Sequence, residues 1–261
     1  MAIAIRGGTP ARSPTTSSDT SPTAAVTLSG TRQPVTGDVL HIVHKNDFYA
    51  LSNMPTPTVA GSTTGVTSIV NADAGTNSGH IKTYYFVVTS GGVDVTVSVT
   101  ETGTHDEDKQ MVVYVLSGVD TTGTPTDGSS SGFSASGVAD QVIPQITGLT
   151  RTDDFLIADI CSGGGAAANH YGEPAGMTSQ YDEVVDGAMN SGGCTQQLAS
   201  SADTGTRTYQ AQDSGSAPQA VPWAGVMVAY KTATAAAGSP VMLGRRHAFR
   251  MRGRRRGRGA R

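Results

Sequence analysis

Apolar and polar residues alternate strictly between positions 93 and 100. Val93, Val95, Val97 and Val99 fall on one face, and Asp94, Thr96, Ser98 and Thr100 on the other. A period of two is that of a half-buried strand, because successive side chains leave a pleated backbone on opposite sides. Further short runs rich in Val, Ile, Thr, Tyr and Phe predict strands over 25–28, 38–44, 66–70, 82–88, 111–116, 141–146, 155–160, 180–185, 195–199, 206–210 and 224–230. Two of them, 111–116 and 224–230, are nearly continuous apolar runs, as expected of central strands. Gly91-Gly92 reads as a hairpin turn between the strands over 82–88 and 93–100. No stretch carries the 3.6-residue period of an amphipathic helix ten residues long. Many short strands separated by turn residues predict an all-β fold, an antiparallel β-sandwich of jelly-roll-like form.

A faint repeat runs through this pattern. Thr36-Gly37-Asp38-Val39-Leu40 resembles Thr152-Asp153-Asp154-Phe155-Leu156, 116 residues on, and a proline follows each at a similar distance, Pro55 and Pro174. Read as duplication, each half supplies about four strands, and two Greek keys make one eight-stranded jelly roll. The alternative is coincidence among strands of low complexity.

Composition supports the all-β reading and adds a division of charge. Hydrophobic residues are 37% and charged residues 15%, both low for a globular domain, with Gly, Ser, Thr and Ala filling the difference. The formal net charge of −3 conceals an asymmetry. Nine of the 18 Lys and Arg lie in residues 244–261, which hold no acid, while all 21 Asp and Glu lie before them. The organisation expected is an extended Pro/Ser/Thr-rich arm over 1–23, one β-sandwich over 24–232, a small-residue linker over 233–243 and an Arg-rich tail over 244–261. Residues 1–20 hold no secretory h-region, and no stretch nears the ~20 apolar residues of a membrane span. Synthesis in a cytoplasm without a signal peptide is therefore expected.

Motif-like residues mostly have plain readings. Gly128-Ser129-Ser130-Ser131-Gly132 fits the G-x-S-x-G pattern of nucleophilic serines, but it sits in a Gly/Ser/Thr stretch read as a loop, without the strand-turn-helix the chemistry needs. Gly163-Gly164-Gly165 lacks the lysine of a phosphate loop. His105, Asp106, Glu107 and Asp108 form a polar cluster read as a hairpin tip rather than a calcium loop. His41 and His44 fall on opposite faces of one strand and cannot share a metal. His170 and Glu173 are a weak pair, and Asp153-Asp154 reads as turn chemistry. Cys161 and Cys194 read as free thiols. Aromatic residues are 5%, too few to suggest a sugar platform around Trp223, Tyr171, Phe48 or Tyr49. No catalytic, cofactor or metal site is expected. The candidate partner-binding residues are the tail arginines Arg245, Arg246, Arg250, Arg252, Arg254, Arg255, Arg256, Arg258 and Arg261. Their planar guanidiniums grip oxyanions in a bidentate manner, so the tail is expected on an acidic protein surface, with nucleic acid the competing partner.

Four segments together resemble a family. Thr36–Leu40 resembles the opening strand, and Val115-Leu116-Ser117-Gly118-Val119-Asp120 a strand end, of β-sandwich virion structural proteins from actinobacterial tailed phages. Glu173-Pro174-Ala175-Gly176-Met177-Thr178 resembles their characteristic loop, and the run from Trp223 to Tyr230 their closing strand. The resemblance implies a non-enzymatic minor tail or capsid-decoration protein without catalytic residues. It would be a homo-oligomer that binds other virion proteins and is located in the virion. The rival expectation is a carbohydrate-binding or hydrolytic β-sandwich module acting on a host envelope. The Arg-rich tail is not part of the family pattern.

Overall fold

A computed structural model describes residues 2–13, 23–47, 51, 54–75, 78–101, 108–163, 170–185, 189–199 and 202–234. Among them are seventeen strands, one 3-10 turn at Gly30–Arg32 and no α-helix. The first half of the chain forms β1 (Ala4–Ile5), β2 (Ala11–Arg12), β3 (Thr23–Leu28), β4 (Val39–Asn46), β5 (Thr58–Val59), β6 (Thr67–Asp73), β7 (His80–Val87), β8 (Val95–Thr100) and β9 (Lys109–Ser117). The second half forms β10 (Thr126–Val138), β11 (Asp140–Ile143), β12 (Phe155–Ser162), β13 (His170–Gly172), β14 (Thr178–Val185), β15 (Met189–Gln197), β16 (Arg207–Gln212) and β17 (Val221–Tyr230).

The pairing is antiparallel throughout, and it repeats. The first half makes a large sheet in the order β1-β9-β4-β7-β6, with β2 also on β9, and a small sheet β3-β8-β5. The second half makes β10-β17-β12-β15-β14 and β11-β16-β13. Strand for strand these are the same two sheets, with β10 in the place that β1 and β2 share. The internal echo is therefore a duplication of the whole strand set. Each half supplies eight or nine strands rather than the four expected.

Three clusters of buried side chains set the four sheets in four layers. Leu40 and Ile42 of β4 meet Val26, Leu28, Val97 and Val99 between the first half's two sheets. Leu156, Ala158 and Ile160 of β12 meet Tyr171, Tyr209 and Ala211 between the second half's two sheets. The alternate residues of the same strands, Val39 and Val43 of β4 and Phe155, Ile157 and Cys161 of β12, meet in a third cluster between the large sheets. Period-two alternation thus serves two cores at once, which is why β4, β9, β12 and β17 are buried on both faces. One pair of sheets over 24–232 was expected. The large sheets carry apolar residues on both faces, so each must be covered twice.

The large sheets face each other across the shared central cluster. β10 lies over β6. The equivalent pair, β2 and β14, meets through Arg12 and Glu183, 2.5 Å apart. Residues 4–5 and 11–12, expected as part of an extended arm, form two short strands docked onto β9.

Two local readings change. The stretch read as a Gly/Ser/Thr loop is the 13-residue strand β10, paired with β17. Its small residues are what the site admits: a Cβ on Gly132 would stand 2.7 Å from the Val142 carbonyl and 2.8 Å from the Trp223 ring. Gly91-Gly92 does not close a hairpin, because β7 and β8 belong to different sheets. It carries the chain past residues 34–36, and a Cβ on Gly91 would meet the Val35 backbone at 2.3 Å.

Candidate functional site

The central interface between the large sheets encloses a charged cluster assembled from both halves. Val39, His41, Val43 and Lys45 share one face of β4, and Phe155, Ile157, Asp159 and Cys161 share the facing side of β12. His41, Lys45 and Asp159 are wholly buried. The Lys45 Nζ donates to the Ile160 carbonyl at 2.9 Å, Tyr181 OH at 2.5 Å, Ser191 Oγ at 3.0 Å and the Gly192 carbonyl at 3.0 Å. Three N–H bonds are shared among these acceptors, with Asp159 Oδ1 at 3.4 Å as counter-charge. The Tyr181 hydroxyl donates a hydrogen bond to Asp159 Oδ1, and Tyr114 donates to the same oxygen at 3.3 Å. His41 sets Nδ1 2.8 Å from Tyr230 OH and Nε2 3.7 Å from Asp159 Oδ2.

The network runs outward along one path. Ser191 Oγ donates to Gln110 Oε1 at 2.5 Å, Gln110 donates to Glu183, and Glu183 accepts from Arg12 at the surface. Burial drives the Lys45 ammonium below its ordinary value, with Asp159 opposing. Burial would raise the Asp159 carboxyl, but Lys45 and His41 outweigh it and hold it below the usual range. Burial first, and then Asp159, push the Tyr114 and Tyr181 phenols well up, so both remain donors. The arrangement fixes an ion pair between two sheets away from water. It relies on Gly193, where a Cβ would lie 2.3 Å from the Tyr181 ring, 2.5 Å from Tyr114 OH and 2.8 Å from Asp159 Oδ1.

Two further acidic sites lie off this axis. Glu101, buried where β8 ends, holds His44 Nε2 at 2.9 Å, Lys109 Nζ at 3.3 Å and Asn46 Nδ2 at 3.1 Å. Burial would raise its carboxyl, but His44 and Lys109 overcome this and bring it down to about 2. Asp154, buried just before β12, faces the Asp127 carboxylate of β10. Burial, then the proton it shares with Asp127, lifts Asp154 to about 8. Asp127 accepts from the Thr150 hydroxyl, the Arg151 amide at 3.0 Å and the Thr150 amide at 2.6 Å. Those bonds overcome its own burial and keep it the ionised partner.

The residues singled out in the sequence fall elsewhere or apart. All nine tail arginines lie outside the described residues, as do Phe48, Tyr49, Gly164, Gly165, His105, Asp106 and Glu107. Asp108 is buried and accepts from the Met189 amide at 3.1 Å. His41 and His44 do face opposite ways, one to Asp159 and the other to Glu101. Trp223 and Tyr171 belong to the second half's core. Ser129, Ser130 and Ser131 lie along a strand, and Ser130 donates to the Pro144 carbonyl at 2.6 Å. His170 is half-buried and Glu173 exposed. Cys161 and Cys194 are free and point to opposite faces of their sheet, Cys161 into the central cluster and Cys194 into the outer one. Among the described residues no three His, Cys, Asp or Glu side chains group as metal ligands.

Lys45, Asp159 and Asp127 drew no notice in the sequence. One signal was present: Lys45 and Asp159 each interrupt an apolar face at period two, in strands otherwise made for burial. Comparison of the chain with models of protein families, with curated proteins and with solved structures finds no match.

Proposed function

We propose that the chain is a non-enzymatic structural protein of a tailed-phage virion, a capsid-decoration or minor tail protein that acts by protein–protein assembly and surface display. In this reading each half is a jelly-roll-like β-sandwich. Its eight strand positions divide between a five-stranded and a three-stranded sheet, with the first and last strands adjacent. The observation that carries the proposal is the face-to-face packing of the two strand sets, with the interior side chains Lys45, His41 and Asp159 engaged across that face. A rigid double unit of this kind presents outer sheets and loops while its ionisable interior serves cohesion. The four family-like segments, from Thr36–Leu40 to the closing run at Trp223–Tyr230, support the same reading. Homo-oligomers follow from the repetition of virion parts.

The Arg-rich tail is proposed to anchor the protein on an acidic surface of neighbouring virion proteins. Negative-stain microscopy of particles carrying a labelled copy tests the location, and the expected result is regular labelling of capsid or tail. Deleting residues 244–261 is expected to reduce incorporation. Undiminished incorporation refutes the anchoring role, and DNA binding at physiological salt that is lost with the deletion transfers the tail to nucleic acid. Specific glycan binding, or turnover of cell-wall polymer by the purified chain, overturns the structural reading in favour of an envelope-acting module.

A further inference from the structure

The two halves treat equivalent sheet edges differently. In the first half the outer position beside β9 is broken into β1 and β2 by Arg6-Gly7-Gly8-Thr9-Pro10. A proline, a distorted turn and flanking arginines are the devices that keep a sheet edge from pairing with another chain. In the second half the same position is filled by the continuous β10, whose residues 128–134 pair regularly with β17. Between Asp127 and Asp140 this strand holds no charge and no proline. Among the described residues no backbone hydrogen bond reaches its outer edge.

A knob and a hole lie beside this open edge. Phe133 is 62% exposed. It flanks a groove of about 630 Å³ that runs between Asn71–Gly75 and β10, with Ser131 and Ala135 also in its wall. Ser131 and Phe133 share one face of the strand, since they are two residues apart. We infer that β10 is a self-association edge, at which a second copy of this chain pairs antiparallel through its own β10. The register that sets Phe133 of one copy opposite Ser131 of the other does so twice, by symmetry. It carries each ring to the partner's groove and places the two rings diagonally across the junction. Gly and Ser elsewhere on the strand allow close approach, and residues 128–134 carry no charge, so no like charges oppose within the paired stretch. The pairing joins two five-stranded sheets into one of ten and does not depend on the virion reading.

Light scattering and hydrogen exchange on the full chain test this. The expected result is a concentration-dependent dimer in which the amides of 128–134 gain protection as the dimer forms. Phe133→Lys and Ser131→Lys are expected to weaken dimerisation by ~10-fold or more. They should leave the thermal midpoint of the monomer unchanged. Val93→Lys, at another exposed apolar residue, is expected to leave dimerisation intact. Three results each overturn the inference. One is a monomer at every concentration, another is a dimer indifferent to both β10 variants, and the third is protection of 128–134 that does not vary with concentration.

Discussion

The same strand set occurs twice in this chain, and the two copies handle charge in opposite ways. At the entry to β4, Asp38 holds the Arg6 guanidinium in a paired contact. At the equivalent entry to β12, Asp154 faces a second carboxyl, Asp127. At the centre, the first half contributes His41 and the cation Lys45, and their counterparts in the second half are the apolar Ile157 and Cys161. The second half contributes Asp159 where the first has Val43. The halves are alike in backbone and complementary in side chain. An apolar copy of this interface would let either half pair with itself. A buried cation on one side and a buried anion on the other make the unlike pairing the only one in which no charge is stranded, which is the best-attested use of buried ionic groups.

The largest expected effect breaks that complementarity. Lys45→Met leaves Asp159 buried without its counter-charge and is expected to cost about 3–5 kcal/mol in chemical denaturation. Asp159→Leu strands Lys45 and should cost a comparable amount. The double variant is expected to recover most of the loss, because two apolar side chains suit a dry interface. Strictly additive single effects would mean that the pair does not join the halves.

Next in size is Gly193→Ala. The equivalent residue of the first half is Thr83, which donates to the Val70 carbonyl at 2.8 Å. In the second half Tyr181, Tyr114 and Asp159 occupy that space. The added methyl is expected to destabilise by about 1–3 kcal/mol or more. A neutral effect in a thermal melt would show that the cluster can shift away from β15.

The two acidic sites predict opposite responses to pH. Asp154 holds its proton in the folded chain up to about 8, whereas unfolded aspartate releases it near 3.8. The unfolded state therefore binds fewer protons in this window, and stability falls as pH rises from about 4 to about 8. Asp127, Asp153 and Arg151 are the charges around it. Asp154→Asn, which keeps a neutral hydrogen-bonding group, is expected to flatten that decline in melts recorded across the window. Glu101 has the reverse sign. Its folded value of about 2 lies below the ordinary 4.5, so its contribution is present above 4.5 and lost as pH falls towards 2. Glu101→Gln should remove that acid-side loss. The smallest effect is expected at the rim, where Arg12→Ala breaks a partly exposed ion pair and should change stability by no more than about 1 kcal/mol.

Much of the strand content was legible along the chain. All twelve runs chosen on alternation or apolar content overlap strands, or, for 195–199, the end of one. β10 was not legible, because Gly and Ser carry no hydropathy pattern and the site beneath Trp223 and Ile146 requires small side chains. The Gly192-Gly193 segment of β15 was hidden for the same reason. β1, β2, β5 and β13 span two or three residues each, too few to show a period.

The amino-acid sequence alone determined an all-β chain, the opposite facing of His41 and His44, and the separation of an acidic body from a basic end. Each of these is local, set by the two-residue period of a strand or by counting charge. It could also register a repeat 116 residues long. Only the tertiary structure decided that the repeat is a whole sheet pair, that four layers enclose three cores, and that Lys45 meets Asp159. Those facts depend on which face of one strand opposes which face of another 114 residues away. Alternation states that a face is buried, and it is silent on what buries it.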